Sequence, residues 1–501
     1  MGGSDIFVAK WSSLTNSFTW AIRAGGARFD DEAFGVAVNG NSIYVTGGFS
    51  SAVADFGPVT LANAAIAGGG ADVFVAKLTS AGNVVWAQRA GGLGGGDEGR
   101  AIAVNGSSIY VTGRFLSTFA NFGTATLSNA STGPPYNFDG FVAKLNDAGS
   151  VGTFVWAQSW GGRNGEVANA LAISGNNVYV AGSFDGGGST GALPTYFGAF
   201  TLFIQGDYNG FVAKLSDMNT SAEFVWVQQI RNVSCGVAGL AVNGTAVYLT
   251  GAFNFGSVFM GSISLRNPAL TYTYDAFVAR LDDAGTTSSF AWAQRFGGPE
   301  DDEALALAVS GPNVYLTGYF MSNSIRLGNN TLTNTSSGFS DVFVAKMTDT
   351  GTVEWAVAAG GSSTDRPSGV AVNSPTIYVC GLTYPPARFG LLTLSSFSVS
   401  SPAGFLASLT DPTLTATTAA QGSFSFSLAP NPARASTTVT VPTLTGPATL
   451  TLLDALGREV RTRPAAPGAR TEFDLSGLAP GLYALRATAG AATATQRLVV
   501  E

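Results

Sequence analysis

The sequence contains no histidine. That absence excludes Ser-His-Asp and Cys-His catalysis, zinc or haem held through imidazole, and a switch built on imidazole titration. Cysteine is almost absent as well. Cys235 and Cys380 are too few for a four-cysteine metal site or a disulfide scaffold, and no bond between them is expected. Charged residues are 11% of the chain, against about 25% in average proteins. The net charge of −7 argues against a nucleic-acid partner. No run of about 18 apolar residues exists, so no spanning helix is expected. The opening Met1-Gly2-Gly3-Ser4-Asp5 lacks the basic end and apolar stretch of a secretory signal peptide.

What the chain has is glycine, 65 residues of 501, beside 46% hydrophobic residues. That mixture describes short strands joined by tight turns, with enough apolar surface for a large core. The glycines fall into a repeat of about 66 residues. DIFVAK at Asp5–Lys10 returns at Asp72–Lys77, Asp139–Lys144, Asn209–Lys214, Asp275–Arg280 and Asp341–Lys346, with a worn copy at Ala403–Ser408. A Trp strand follows each full copy, centred on Trp20, Trp86, Trp156, Trp226, Trp292 and Trp355. Next come a Gly-Gly turn, a small-residue strand such as Gly35–Val38, and a turn such as Asn39-Gly40. Asn-Gly is a strong hairpin signal, because both residues accept positive φ. It leads into IYVTG at Ile43–Gly47 and its relatives. The long connection back to FVAK carries a Phe-Gly-x-x-Thr-Leu core at Phe56–Leu61, Phe122–Leu127, Phe197–Leu202 and Phe389–Leu394. Degenerate copies lie at Met260–Leu265 and Leu327–Leu332. An extra short hairpin is expected there.

Four antiparallel strands per period predict an all-β chain, a β-propeller of four-stranded blades. The small-residue strand is expected innermost, then IYVTG, FVAK and the Trp strand. The Trp residues are expected to pack between blades. Six small-residue, six IYVTG, seven FVAK and six Trp strands make twenty-five. Seven blades lacking three contiguous strands before Asp5 account for this number, and the missing signal peptide fits the same N-terminal truncation. The alternative is six blades with one strand over.

These units resemble the bacterial SBBP repeat family, over about residues 5–409. The resemblance implies the propeller fold and no common activity. Composition shifts near Asp411. The expected division is a propeller over 1–410, a Thr/Ala-rich linker over 411–423 and a small β-sandwich over 424–501. This last segment resembles the type A sorting domain of the type IX secretion system. The matching residues are Pro430, Asn431 and Pro432, then Asp454, Gly457 and Arg458, then Asp474, Gly481 and Tyr483, and finally Arg497 and Leu498. The resemblance implies recognition by the type IX machinery, and a protein released or held at the outer cell surface.

One position after each Gly-Gly turn reads Asp31, Asp97, Glu166, Cys235, Asp302, Asp365. Such acids accept N–H bonds from their own turns. They are also a candidate ligand-binding face, formed by Asp31, Asp97, Glu166, Asp302 and Asp365. Asp30, Asp31, Glu32, Asp301, Asp302 and Glu303 are candidate weak calcium ligands, although no D-x-D-x-D-G loop is present. No other cofactor and no catalytic residue is expected. The Asp and Lys that bound each FVAK strand are expected at solvated strand ends, protecting the edge. Gly91–Gly96 and Gly186–Gly188 lie in no strand–helix unit and are not phosphate loops. Two functions are open: a surface scaffold binding a glycan or protein, and a secreted polysaccharide-degrading enzyme, a glycosidase or lyase working from the acidic rim. An active site breaks repeat symmetry, and the breaks lie at the Cys235 turn and the insertion near Asp185–Thr195.

Overall fold

The Asn-Gly turns do close hairpins. Gly40 and Gly106 have φ of 57° and 60°, in the left-handed region that glycine adopts without strain. The computed structural model describes residues 3–501 except 66–69, 132–136, 186–193, 205–207, 232–233, 255, 270–271, 396–401, 412–425, 442–447, 455–458, 467 and 490–491. Among the described residues every regular element is a strand. The chain divides into two compact units: Met1–Asn373 with Ile377–Ser408, and Ser374–Thr376 with Leu409–Glu501. The expected linker falls almost wholly outside the described residues, as do Gly186–Gly188 and most of the Asp185–Thr195 insertion.

The first unit is a series of antiparallel sheets. An N-terminal hairpin, Ile6–Ser12 with Ser17–Ala24, precedes five four-stranded cores. The first joins Asp31–Asn39, Ser42–Phe49, Asp72–Thr79 and Val84–Ala90. The second joins Glu98–Asn105, Ser108–Phe115, Asp139–Asp147 and Gly152–Trp160. The third joins Glu166–Ser174, Asn177–Asp185, Tyr208–Asp217 and Ala222–Arg231. The fourth joins Cys235–Asn243, Ala246–Phe253, Asp275–Asp283 and Ser288–Phe296. The fifth joins Asp302–Ser310, Asn313–Phe320, Asp341–Thr348 and Val353–Gly361. A three-stranded sheet of Asp365–Asn373, Thr376–Thr383 and Ala403–Thr410 follows. The strand order within each sheet is the order expected from sequence. The first strand of each sheet packs on the first strand of the next, in chain order.

All six Phe-Gly-x-x-Thr-Leu segments, degenerate copies included, form short hairpins. Several latch onto the outer strand of the preceding sheet. Gly91 bridges Asn121, Gly161 bridges Tyr196, and Ile230 pairs with Met260. These latches join neighbouring sheets by main-chain bonds outside the apolar core.

The IYVTG sequence is explained residue by residue. Its Thr donates to the carbonyl of the Phe in the adjacent FVAK strand, as Thr112 does to Phe141 and Thr250 to Phe277. Its Gly is needed because the neighbouring strand bulges there. A methyl group at Gly113 would collide with the Glu98 carbonyl and meet the Phe141 ring. Gly113→Ala is therefore expected to cost about 1–3 kcal/mol or more, read as a lowered midpoint in urea unfolding.

Among its described residues the second unit has seven strands in two sheets around one apolar core that includes Val439, Leu450, Leu452, Phe473, Leu485 and Leu498. Ser427–Ala429, Ser436–Thr440 and Arg470–Asp474 form one sheet. Glu459–Ala465, Ala448–Leu453, Gly481–Ala489 and Ala492–Val500 form the other, in that order.

Candidate binding site at the rim of the third and fourth sheets

The acids after the Gly-Gly turns are buried. Asp31, Asp97, Glu166, Asp302 and Asp365 show no exposed surface. Asp97 accepts N–H bonds from Gly92, Leu116 and Ser117 and a hydroxyl bond from Ser117. Asp31 and Asp302 repeat that set with Gly26, Ser50 and Ser51, and with Gly298, Met321 and Ser322. Glu166 takes Gly162 and Thr195, and Asp365 takes Gly361 and Thr383. Each acid ties its Gly-Gly turn to the far end of the IYVTG strand or to its hairpin. The oxygens are spent inside the fold and present no acidic surface to a ligand. The candidate calcium ligands do not converge either. Asp30 accepts the Ser4 N–H, Asp301 accepts the Tyr274 N–H, and Glu303 lies 3.9 Å from Arg366. Among the described residues no group of three or more Asp, Glu, Cys or His could hold a metal.

The opposite rim corrects a second expectation. The Lys of FVAK is not a solvated edge charge: Lys77, Lys144, Lys214 and Lys346 are all under 9% exposed. In each sheet the Tyr of IYVTG, this Lys and the Trp stand in register across three strands. In the first three sheets all three converge on one carboxylate of the following sheet. Asp147 receives Tyr44, Lys77 and Trp86; Asp217 receives Tyr110, Lys144 and Trp156; Asp283 receives Tyr179, Lys214 and Trp226. Asp349 receives Tyr248 and Arg280. The Trp residues thus pack between sheets, as expected, with their indole N–H groups bonded across the gap. This clamp ties each of these sheets to the next.

A pocket of about 330 Å³ opens on the acid-bearing rim, where the third, fourth and fifth sheets meet. That volume falls in the small-ligand range of about 300–1,000 Å³. Three substitutions within the repeat make it. Ser183 and Ala252 occupy the position filled by Arg114 in the second sheet and Tyr319 in the fifth. Gly236 occupies the position filled by Glu32, Glu98 and Glu303. In the second sheet Arg114 pairs with Glu98 and covers Phe138, closing the space. Around the pocket stand Asn169, Tyr208, Ser234, Tyr274 and Glu303. Ser234 and Tyr274 hydroxyls lie 3.2 Å apart, and Tyr208 is 47% exposed. The Cys235 turn forms part of the wall. Its thiol is buried and donates to the Ile230 carbonyl, and burial pushes it up to about 12, so it is no nucleophile. Sequence reasoning found this turn but missed the tyrosines and small residues, although the latter stand out when the repeats are aligned.

In the second unit Asn431 holds the final strand from both sides of its amide. It donates to the Arg497 carbonyl at 2.7 Å and accepts the Val499 N–H at 2.9 Å. Pro430 accepts the Thr437 hydroxyl. Arg461 reaches Asp474, whose other oxygen takes the Ser476 N–H, and the Tyr483 hydroxyl donates to Ala479. Pro432, Asp454, Gly481 and Leu498 belong to the same unit. Leu498 lies in its core. Gly457 and Arg458 lie outside the described residues. Asn431, Pro430, Asp474 and Tyr483 thus hold strand ends and turns.

Residues 427–501 match the family of secretion system C-terminal sorting domains. The chain therefore carries a type IX sorting domain and is that of an exported, secreted or cell-surface protein. Over 334 residues it is 25% identical to the regulatory protein FlaEY of Caulobacter vibrioides, a match covering 62% of this chain and 33% of that protein. The match spans about a third of that relative's length. No helix among the described residues is long and apolar enough to cross a membrane.

Proposed function

We propose that the first unit is a β-propeller of SBBP-type blades, and that it works by binding at the cell surface, not by turnover. The serial packing of first strands and the resemblance of residues 5–409 to SBBP repeats support the propeller. The ligand site is the pocket walled by Asn169, Ser183, Ser234, Gly236, Ala252 and Tyr274. Its ligand is a small polar group, such as one sugar of a surface glycan, offering hydroxyls to Asn169, Ser234 and Glu303 and a flat face to the exposed Tyr208. The observation that carries this reading is the coincidence of small residues. Two repeat positions that carry Arg114 and Glu98 in the second sheet and Tyr319 and Glu303 in the fifth carry Ser183, Ala252 and Gly236 here, and the space is left open; the first sheet has Gly48 at the same place, but there Glu98 packs against it. The reading as a polysaccharide-degrading enzyme draws no support from the rim acids, which are buried and saturated.

A glycan array probed with the full chain tests the proposal. Ala252→Tyr refills the space as Tyr319 does in the fifth sheet. It is expected to weaken binding of any captured saccharide at least tenfold, with thermal unfolding unchanged. Binding that survives Ala252→Tyr in a folded protein rejects the pocket, and an array with no captured saccharide rejects the glycan.

A further inference from the structure

A second series of acids stands at the start of the FVAK strands: Asp5 in the N-terminal hairpin and Asp72, Asp139, Asp275 and Asp341 in the four-stranded sheets, with Asn209 in the third sheet. Each stands near the acid that opens the next sheet; at Asp5, Asp72 and Asp341 the first glycine of the Gly-Gly turn lies between the two, and at Asp139 that glycine, Gly161, packs on the Asp139 carboxyl. A methyl group at Gly91 would touch both Asp72 Oδ1 and Asp97 Oδ2, and one at Gly360 both Asp341 Oδ1 and Asp365 Oδ2. In Asp5, Asp72, Asp139 and Asp275 the same atom, Oδ1, is buried with no hydrogen-bond partner. An orphaned buried carboxylate oxygen is costly.

Three of these acids have a cation. Arg23 pairs with Asp5, Arg89 with Asp72 and Arg295 with Asp275. At the register position of Arg89 the second sheet has Ser159. Asp139 and Glu166 therefore meet at the interface of the second and third sheets with no ion pair from the described residues. Arg163, in the connecting turn, is exposed. Asp185, at the end of Asn177–Asp185, adds further negative charge beside Glu166. Asp139 Oδ2 takes the Ala130 N–H, and Glu166 takes Gly162 and Thr195. Burial lifts Asp139 to about 7. Burial and then the Asp139 charge lift Glu166 well above the ordinary carboxylate range. The next interface has lost both acids at once. There Asn209 faces Cys235, the Gly210 N–H points to the sulfur, and Gln229 donates to Asn209. A neutral residue in one place accompanies a neutral residue in the other.

We propose that Asp139 and Glu166 fold as a proton-sharing pair, one carboxylic acid bonded to one carboxylate, so that this interface binds a proton which unfolding releases. The proton on Asp139 Oδ1 gives that oxygen the partner it lacks. The folded pKa lies above the unfolded value, so the contribution is complete below about pH 4. It is lost as the pH rises through the folded value near neutrality, when the proton leaves for solvent and two buried carboxylates remain.

The test is the full chain unfolded in urea from pH 5 to 8, compared with Asp139→Asn and with the double variant Asp139→Asn, Glu166→Cys, which transplants the neutral pair of the next interface. The other acid pairs are unchanged and cancel in the comparison. The expected result is that the double variant, which has neither carboxyl, releases about one proton fewer on unfolding below neutrality, with Asp139→Asn between it and the parent. The variation of the double variant's unfolding constant should then be shallower by up to tenfold per pH unit. A folded double variant with the same pH dependence as the parent overturns the proposal. So does failure of both variants to fold, because a neutral pair must be able to stand where the acids stand.

Discussion

Asp217→Ala should be among the most damaging single substitutions in the chain, costing about 3–5 kcal/mol. Asp217 is the acceptor for Tyr110, Lys144 and Trp156, and the Lys144 ammonium 2.5 Å from it has a side chain only 6% exposed. The Lys144 backup is the Asn219 carbonyl at 3.4 Å, too long to replace a carboxylate. Removing the anion leaves a desolvated cation between two sheets. The double variant Lys144→Met, Asp217→Leu, which removes both charges, should recover much of the loss. If Asp217→Ala costs less than about 1 kcal/mol, the clamp is no more than a surface pair. The pH dependence has a definite sign. Burial raises Asp217, but Lys144, Tyr110 and Trp156 outweigh it and hold the carboxyl below its ordinary value. Its stabilisation is present above about pH 4 and is lost as the pH falls through the lower folded value. Parent and variant should therefore converge in acid.

Asp97→Ala should be comparably severe, on the opposite rim. Four donors lose their acceptor together: the N–H groups of Gly92, Leu116 and Ser117 and the Ser117 hydroxyl. An unsatisfied buried donor costs about 1–3 kcal/mol, and water entering the vacated space offsets part of it. A net loss of about 3–5 kcal/mol is expected, with Asp97→Asn milder because one amide oxygen still accepts. Urea unfolding of the two variants beside the parent reads this directly. Equal effects would mean that charge, not acceptor count, is what the site requires.

How far the sequence was legible follows from the range of each interaction. The twenty-five strands, their order in the sheet and the six inserted hairpins are set by local periodicity and turn residues, so the repeat displayed them. The fate of Lys144 was not legible. Seen along one strand it is a charge at a strand end, while its partner lies 73 residues away in the next sheet. The rim acids were half legible. That Asp97 accepts turn N–H groups follows from its own neighbourhood, but its burial follows from Ser117 and Leu116 closing over it. For the candidate site, the Cys235 irregularity pointed to the right turn. The cavity itself comes from Ser183, Gly236 and Ala252, which lie on three different strands of two sheets and adjoin only after folding.

The clamps have a consequence for how such a chain can grow. The second and third sheets each offer a Tyr-Lys-Trp row forward and a carboxylate backward, and the fourth does so with Arg280 in place of Lys, so each of these units carries one half of two different joints. A genetic duplication of one whole period would insert a module whose two halves fit its neighbours without new mutation. The acid pairs make an exception. A copy of the unit that begins at Cys235 would fit behind Asn209, but behind Asp139 it would leave an aspartate facing a thiol. Such a chain can lengthen by recombination almost anywhere, yet the third and fourth modules are best inherited together.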